Sequence, residues 1–229
     1  MIDHPAFSIE PWAVRETELN LDLLAESESL FALSNGHIGL RGNLDEGEPF
    51  ALPGTYLGGF YEVRPLPYAE AGYGDPGAGQ TVVNVTNGKI IRLLVEDEPL
   101  DLRYGELLSH ERLLDLRAGV LRRTAQWISP TGRSVRITST RLVSFNHRAM
   151  AAIEYIVEPL ADAFTVVVQS ELVANESLPA THDDPRAAAA LASPLVPEWS
   201  AADDRGAVLV HRTRTSGLLM AAAMSHIID

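Results

Sequence analysis

Histidines and carboxylates are the residues of this chain best suited to acid–base or metal chemistry, and their spacing matches no familiar site. The seven histidines form no His-x-His pair and no His-x-x-x-His pair, and the chain has no cysteine. Zinc sites usually draw on such closely spaced ligands, so the spacing predicts no metal site. Acidic runs such as Glu96-Asp97-Glu98 lie among turn residues, where carboxylates are usually solvated. Glycosidic chemistry instead needs a carboxyl group held in an apolar pocket.

A literal match to the Gly-x-Gly-x-x-Gly dinucleotide motif runs from Gly72 to Gly77. That motif binds pyrophosphate only where it leaves a strand and opens a helix. Pro76 lies inside the match and a strand is expected from Thr81, so we interpret the match as part of an irregular loop over residues 64–80. The chain contains neither a Gly-x-Ser-x-Gly elbow nor a P-loop. Taken alone, these residues predict no catalytic site.

The charge of the chain excludes several classes of partner. It carries 18 Lys and Arg against 31 Asp and Glu, a formal net charge of −13. A charge of this sign repels nucleic acid and acidic membranes, and it disfavours unaided phosphate binding. No apolar stretch approaches the roughly 18 residues of a membrane span, and the N-terminus lacks the basic and apolar regions of a secretory signal. We therefore expect a cytoplasmic protein that binds neither nucleic acid nor membrane.

Period-two alternation of apolar and polar residues, interrupted by turn residues, is the dominant pattern and predicts strands. Asn35-Gly36 and Asn87-Gly88 favour type I′ hairpin turns, because both residue types tolerate positive φ. The predicted hairpins pair Glu28–Ser34 with His37–Arg41, Thr81–Thr86 with Lys89–Val95, Val120–Ile128 with Arg133–Val143, and Val208–Thr213 with Gly217–Ile228.

Two more strands and one helix complete the expected elements. Strands are predicted at Met150–Val157 and Phe164–Ala174, and the second is apolar on both faces, which favours an interior position in a sheet. Asp184-Pro185 is typical of a helix start, so a short helix is predicted up to Leu191. We find no repeat and no linker. The prediction is therefore an all-β antiparallel β-sandwich over residues 1–229, with about ten to twelve strands, one or two short helices and less than about a fifth of residues helical.

Four segments, in the same order along the chain, resemble signatures of glycoside hydrolase family 65. That family includes maltose, trehalose and kojibiose phosphorylases and a few hydrolases. The segments are Glu28–Asn43, Pro53–Tyr61, Leu114–Arg122 and Arg141–Ser144. The second holds the family's Pro-Gly-Thr-Tyr loop. The third resembles its Leu-Asp-x-Arg-x-Gly-x-Leu-x-Arg pattern, whose last arginine falls on the next residue, Arg123. With four ordered matches over residues 28–144, the chain is identified as a member of that family.

The resemblance implies a specific place for this chain in a larger enzyme. Residues 1–229 would form the family's N-terminal, galactose-mutarotase-like β-supersandwich, which could lack its last strands. In the family this domain packs on an α/α toroid, and the toroid carries the general acid, a glutamate, and the phosphate-binding groups. The toroid is expected to be absent from this chain, so the resemblance assigns no catalytic residue and no metal here.

The chemistry implied by the resemblance is inverting. The acid protonates the glycosidic oxygen while phosphate attacks the anomeric carbon from the opposite face. This chain would then be a non-catalytic domain that supports and rims the toroid of an α-glucosyl disaccharide phosphorylase, or of a hydrolase where water replaces phosphate. Inorganic phosphate would be a co-substrate, with no cofactor. The implied partners are the enzyme's own C-terminal toroid, an α-linked glucose disaccharide and a second copy in a homodimer.

A free-standing carbohydrate-binding sandwich is the alternative from a different functional class. Such modules usually offer exposed aromatic rings on which sugar faces stack. Only Trp12, Trp127 and Trp199 could supply indole rings, and they lie far apart in the sequence. Their separation favours the domain of a larger enzyme.

Asn35, His37 and Arg41 are the candidate residues for the rim of the substrate cleft. In one interpretation, Asn35 and Gly36 simply close a turn and Arg41 pairs with a carboxylate. In the other, the hairpin reaches the toroid, and these polar groups bind sugar hydroxyls in a preformed pocket. Turn chemistry already explains the Asn-Gly dipeptide, so we prefer the first interpretation and keep the second open.

Overall fold

Antiparallel strands account for about 53% of the described residues. The computed structural model describes residues 5–65, 74, 76–177 and 193–229. Its strands are β1 (Phe7–Glu10), β2 (Ala13–Glu16), β3 (Leu33–Ser34), β4 (Ile38–Leu40), β5 (Thr55–Leu57), β6 (Tyr61–Pro65), β7 (Ala78–Val82), β8 (Asn87–Val95), β9 (Glu98–Pro99), β10 (Glu106–Asp115), β11 (Val120–Ile128), β12 (Ser134–Val143), β13 (Ala151–Pro159), β14 (Val166–Val173), β15 (Leu195–Asp203), β16 (Gly206–Thr213) and β17 (Leu219–Ser225). A 3-10 helix at Leu21–Leu23 leads into α1 (Leu24–Leu30). The predicted all-β antiparallel class is confirmed.

The largest sheet has six strands in the order β1-β2-β10-β11-β12-β13. Its hairpin β11–β12 runs from the pair Val120↔Leu142 to the pair Ile128↔Ser134, which confirms the prediction for this stretch. In β12 every second residue from Val135 onward is buried, and the residues between are partly exposed. The period-two pattern of the sequence therefore sets which face of the sheet packs on the core.

The turn between β10 and β11 explains the third signature segment. One carboxylate oxygen of Asp115, Oδ1, accepts hydrogen bonds from the backbone N–H groups of Arg117 at 3.1 Å and Ala118 at 2.8 Å. The other, Oδ2, accepts from Arg122 Nη1 at 3.0 Å. Asp115 and Arg122 of this segment thus hold a turn together.

The contacts divide the chain into two compact units, each drawn from two separate stretches of sequence. Unit 1 comprises residues 1–54 and 89–171, and unit 2 comprises residues 55–88 and 172–229. The sequence analysis found no linker and did not predict this division.

Unit 1 is a sandwich in which the six-stranded sheet faces a second sheet of order β14-β8-β9. The core between them centres on Trp127 and Leu93, which are 0% and 1% exposed. A second buried cluster surrounds Phe31. Unit 2 has its own core around Phe60 and Leu195.

Both Asn-Gly turn predictions are wrong. The first hairpin turns about Gly36-His37: Gly36 has a φ of 84°, and Asn35 lies outside the left-handed region that a type I′ turn would need. The turn is shifted by one residue because the Asn35 side chain, described below, accepts the N–H groups of the turn. Asn87-Gly88 lies inside β8, and β7 pairs with β6 instead.

The predicted strand Glu28–Ser34 is largely wrong, because α1 occupies Leu24–Leu30. The side chain of Asn20 accepts a hydrogen bond from the Asp22 N–H at 2.9 Å and so starts the preceding 3-10 helix. The helical segments of three and seven residues agree with the low predicted helix content. The helix predicted at 184–191 lies outside the described residues, as does half of the Gly72–Gly77 match.

Two further strand predictions have different outcomes. β14 lies at one end of its described sheet, and Val167 and Val168 are 49% and 52% exposed, so the predicted interior position is wrong. The last hairpin is confirmed, since β16 pairs with β17 from Gly206↔Ser225 to Arg212↔Leu219. The described strands number seventeen, more than predicted, because strands of two or three residues leave no visible alternation. Among the described helices, none has the length and apolar character needed to cross a membrane.

Candidate functional site

Asn35 uses its whole side-chain amide to hold the β3–β4 turn. Its Oδ1 accepts from the backbone N–H groups of His37 at 2.9 Å and Ile38 at 2.8 Å. Its Nδ2 donates to the carbonyl oxygens of Ser144 at 2.6 Å and Arg148 at 2.9 Å. Two donated and two accepted bonds exhaust what an amide side chain offers. Asn35 therefore positions the hairpin against the segment that follows β12.

His37 is the second central residue of the same turn, and it is partly exposed. Its backbone N–H is bound by Asn35, while its imidazole makes no hydrogen bond with the described part of the chain. An imidazole carries one donor and one acceptor when neutral. Of the three rim candidates, His37 is the one whose side chain remains available to a ligand.

Arg41 is held within unit 1, with 17% of its side chain exposed. Its Nη2 donates to the Ala25 carbonyl at 3.0 Å and lies 3.5 Å from Glu28 Oε2. A Cβ atom placed on Gly54 would lie 2.1 Å from Cγ and Cδ of Arg41. The glycine of the Pro-Gly-Thr-Tyr segment is therefore needed to leave room for the arginine of the first segment.

Glu28 of the first signature segment has a fully buried carboxylate that binds the residues just before the second segment. It accepts hydrogen bonds from the backbone N–H groups of Ala51 at 2.9 Å and Leu52 at 3.1 Å. Asn43 Nδ2 donates to the Leu52 carbonyl at 2.9 Å. These side chains fix the stretch before Gly54 to α1 and to the chain that follows β4.

A buried charged group lies directly after the first signature segment. We call it the Asp45 cluster; its members are Asp45, Glu46, His110, Arg123, Ser139 and Arg141, all at most 4% exposed. Asp45 Oδ1 lies 2.6 Å from Arg141 Nη2, and Oδ2 accepts from Ser139 Oγ at 2.6 Å and Arg123 Nη1 at 3.2 Å. Arg123 Nη1 also donates to Glu46 Oε2 at 2.9 Å. The cluster thereby joins three strands to the residues that follow the Asn35 hairpin.

The two carboxyl groups of the cluster have pKa values displaced in opposite directions. Burial would raise the pKa of Asp45, but Arg141, Arg123 and the Ser139 hydroxyl outweigh it and hold that pKa below its usual value. Burial dominates at Glu46, where the nearby Asp45 charge adds to it, and the pKa is raised. Such a pair is a familiar acid–base arrangement where substrate can reach it. Here each side chain is only 3% exposed, so the arrangement serves the scaffold.

A second buried ion pair lies beside the Asp45 cluster. Arg112 Nε donates to Glu16 Oε2 at 2.6 Å, Nη1 to the Gly42 carbonyl at 2.9 Å and Nη2 to Ser27 Oγ at 2.8 Å. Its guanidinium also lies 4.8 Å from the centre of the Phe31 ring. One arginine thus links β2, β10 and α1 to the first signature segment.

The sequence analysis missed the Asp45 cluster, although a signal was present. In β11, Arg123 shares its face with Leu121, Ala125 and Trp127, all of which are buried. A charged residue in step with an apolar face predicts a buried partner of opposite charge. What the alternation could not supply was the identity of that partner, which comes from a loop 77 residues away in sequence.

Comparison with known families shows to which family this chain belongs. The N-terminal domain model of glycosyl hydrolase family 65 matches residues 14–229. The chain belongs to glycosyl hydrolase family 65. As a family 65 N-terminal domain, it carries all four signature segments within the matched residues.

Similar proteins of family 65 are considerably longer than this chain. An uncharacterized glycosyl hydrolase of Mycobacterium tuberculosis is 67% identical over all 229 residues, which make up 29% of its length. An alpha,alpha-trehalose phosphorylase of Thermoanaerobacter brockii is 39% identical over 68% of this chain and 21% of its own length. The solved structure named "Putative kojibiose phosphorylase from human microbiome" aligns with a TM-score of 0.83 at 25% identity, over 96% of this chain and 28% of that one. This family 65 chain spans less than a third of each.

The buried histidine of the Asp45 cluster gives this family 65 domain a testable pH dependence. Burial, with the charges of Arg123 and Arg112, lowers the pKa of His110 to about 2. The folded protein therefore holds a neutral imidazole, whose Nε2 accepts a hydrogen bond from Arg123 Nε at 3.3 Å. The unfolded histidine ionises near pH 6.5. Below that pH the unfolded state binds one more proton, so the free energy of unfolding contributed by His110 falls as pH falls, by up to about 1.4 kcal/mol per pH unit.

We expect wild type to lose stability relative to His110→Gln as pH drops from 7.5 to 5. Glutamine keeps an acceptor near Arg123 but does not titrate, so it removes only this source of pH dependence. Urea unfolding at several pH values measures the free energy of unfolding of both proteins. The value for wild type minus that for His110→Gln should fall by about 2 kcal/mol over this range. A difference that stays constant with pH would contradict a neutral buried histidine.

Proposed function

We propose that this chain is the non-catalytic supporting domain of an inverting α-glucosyl disaccharide phosphorylase or hydrolase. The observation that carries the proposal is that polar side chains of its signature segments are bound within the chain itself. Glu28 and Asn43 hold the backbone of Ala51 and Leu52, just before the second segment, and Arg41 packs against Gly54. Arg141 of the fourth segment lies 2.6 Å from Asp45, which follows the first. Side chains so engaged are suited to building a rigid scaffold.

The catalytic acid and the phosphate site would then belong to the rest of the longer enzyme. The named relatives include trehalose, kojibiose and maltose phosphorylases, of which this chain spans at most 24%. The chain's net charge of −13 would also oppose a phosphate site built from its own residues. Inorganic phosphate is the proposed co-substrate of the whole enzyme, and an α-linked glucose disaccharide the proposed substrate.

His37 is the residue we propose for the rim of the substrate cleft. The turn that carries it is fixed on both sides by Asn35, and its imidazole is partly exposed. A polar group on a rigid turn can bind a sugar hydroxyl at little entropic cost. Asn35 and Arg41 would support this position from beneath.

A carbohydrate-binding role without catalysis is the second candidate, and exposed tryptophans favour it. Trp12 of unit 1 is 61% exposed and Trp199 of unit 2 is 57% exposed, whereas Trp127 is fully buried. Each unit thus offers one indole face, where stacking on a sugar ring is expected. Titrating the chain with maltose, trehalose and starch while following tryptophan fluorescence tests this role, which requires saturable binding lost in Trp12→Ala or Trp199→Ala.

The supporting role predicts that the 229-residue chain has no turnover of its own. Purified chain should be incubated with maltose, trehalose, kojibiose or nigerose, each with and without phosphate. We expect neither glucose 1-phosphate nor glucose to form, because the proposed acid and phosphate contacts lie outside these residues. Release of either product in proportion to the amount of pure chain would overturn the proposal.

The rim role predicts a kinetic defect for His37→Ala in the full-length enzyme. Losing one hydrogen bond that forms in the transition state should lower kcat/KM about tenfold, equivalent to about 1.4 kcal/mol. The melting temperature should stay unchanged, since the imidazole has no hydrogen bond within the described residues. His226→Ala, at a partly exposed histidine in unit 2, is the control and should leave kcat/KM unaltered. Wild-type kinetics for His37→Ala would leave the hairpin as scaffold alone.

A further inference from the structure

A row of polar residues crosses the face of the six-stranded sheet that packs on the core of unit 1. Each of five neighbouring strands, from β2 and β10 to β13, contributes one residue, and the register sets these residues directly opposite one another. The row is Glu16, Arg112, Arg123, Ser139 and Tyr155. Polar groups at this depth in a sandwich need hydrogen-bond partners.

Three polar atoms near the β13 end of this row have no hydrogen-bond partner within the described residues. They are Tyr155 Oη, Arg123 Nη2 and Glu46 Oε1, and each atom is shielded from solvent. Arg123 Nη1 donates to Glu46 Oε2 at 2.9 Å, so the second nitrogen and the second oxygen belong to two groups already in contact. Because a buried polar atom without a partner costs free energy, native proteins satisfy nearly all of them.

Tyr155 reaches the Arg123–Glu46 pair from β13. Ser139 lies opposite Tyr155 in the register, and Arg123 lies opposite Ser139 on the other side. The small serine leaves room for the tyrosine ring and the guanidinium to approach each other. Burial raises the pKa of Tyr155 well above its ordinary value, and the charge of Glu46 adds to the rise while Arg123 opposes it. The hydroxyl therefore lies close to both groups.

The chemistry of the three atoms indicates which ligand fits between them. Arg123 Nη2 can only donate, a carboxylate oxygen accepts, and a tyrosine hydroxyl does both. Chloride would face the carboxylates of Asp45 and Glu46, and a cation would face the guanidinium. Within the part of the chain that the structure describes, no group of three or more His, Asp or Glu could hold a metal ion. A small neutral molecule that both donates and accepts fits best, whichever protonation state Glu46 takes.

We propose that one ordered water molecule is a resident ligand of unit 1, bound between Tyr155 Oη, Arg123 Nη2 and Glu46 Oε1. Buried waters typically make about three hydrogen bonds to groups that would otherwise be unsatisfied, and three partners are available here. The water joins β13, at one end of the described sheet, to β11 and to the residues that follow the first signature segment. A single bound water adds these hydrogen bonds without the screening that bulk solvent would bring.

A crystal structure that contains this chain, from crystals soaked in sodium bromide, tests the site directly. We expect a water at about 2.7–3.2 Å from all three atoms and no anomalous bromide signal between them. A bromide peak would establish an anion site and overturn the proposal. Direct bonds from the three atoms to protein groups, or no density between them, would overturn it equally.

Tyr155→Phe tests the same water in solution, because it removes one of the three partners and keeps the aromatic ring. Magnetic relaxation dispersion of water oxygen measures how long an internal water stays bound. The residence time should fall by at least about tenfold in Tyr155→Phe, the effect of losing one hydrogen bond.

Tyr104→Phe is the matched control for this measurement. Tyr104 is 64% exposed, so its variant should give the dispersion of wild type. Identical dispersions for wild type, Tyr104→Phe and Tyr155→Phe would refute the water site. Neither the crystal structure nor the dispersion measurement uses a sugar, so their outcomes are separate from those of the activity assays.

Discussion

Asp45→Asn should lower the free energy of unfolding by about 3–5 kcal/mol, because it leaves buried guanidinium groups without their counter-charge. The two carboxylate oxygens bind Arg141 at 2.6 Å, Ser139 at 2.6 Å and Arg123 at 3.2 Å. An asparagine of the same size can offer one acceptor but no charge. Its amide hydrogens would also face donors of Arg141 or Arg123. The shape of the core stays the same, so the loss measures the electrostatics.

Urea unfolding at pH 7 measures this effect, and Glu158→Gln is the matched control. Glu158 forms an exposed ion pair with Arg136 at 2.9 Å, for which a loss below about 1 kcal/mol is expected. Because the pKa of Asp45 is held below its usual value, its contribution is present at neutral pH and disappears as pH falls through that lowered pKa. The gap between wild type and Asp45→Asn should therefore close in strong acid. Losses of similar size for Asp45→Asn and Glu158→Gln would show that the cluster is hydrated.

Gly105→Ala should cost about 3 kcal/mol or more, the second large effect that we expect. Gly105 has a φ of 73°, and an added Cβ would lie 2.3 Å from the Ile128 carbonyl oxygen and 2.8 Å from Trp127 Nε1. Trp127 is fully buried and donates to the Tyr104 carbonyl at 2.7 Å. The methyl group can be accommodated only if the central side chain of the unit 1 core moves.

Gly119→Ala separates the two causes of this loss of stability, the strained backbone φ and the steric overlap with neighbouring atoms. Gly119 has a nearly equal φ of 69°, but a Cβ there would meet nothing within 4 Å. It should cost only the backbone term, about 1–2 kcal/mol. Thermal unfolding ranks the two variants, and a red shift of tryptophan fluorescence in Gly105→Ala alone would report displacement of Trp127. Equal losses of stability in Gly105→Ala and Gly119→Ala would mean that the atoms around Gly105 move aside at no cost in free energy.

The long strands of the six-stranded sheet could be predicted because their side chains alternate without interruption. β12 places Val135, Ile137 and Val143 on one face, and Arg141 falls in the same phase. The alternation thus places Arg141 on the buried face of β12, although an arginine in a strand is usually solvated. Only the long-range pairing with Asp45, 96 residues earlier, makes its burial favourable.

The errors cluster where local propensity competes with a long-range hydrogen bond. Asn35-Gly36 has the composition of a type I′ turn, but the Asn35 side chain binds the carbonyl of Ser144, 109 residues away, and the turn shifts to Gly36-His37. The availability of His37 as a rim candidate follows from the same shift. β14 is a second such error. Its apolar sequence is typical of an interior strand, but its position at one end of the described sheet depends on which strands lie beside it.

The discontinuity of unit 1 bears on how this domain is made on the ribosome. β2 pairs with β10, from Ala13↔Asp115 to Glu16↔Arg112, so its partner is synthesised about 100 residues later. At typical rates of translation, roughly 5–20 residues per second, the β1–β2 hairpin waits about 5–20 seconds for that partner. Glu16 waits equally long for Arg112. During this interval the first 54 residues remain open to chaperones and proteases, so the speed of translation through residues 55–115 should influence the yield of folded domain.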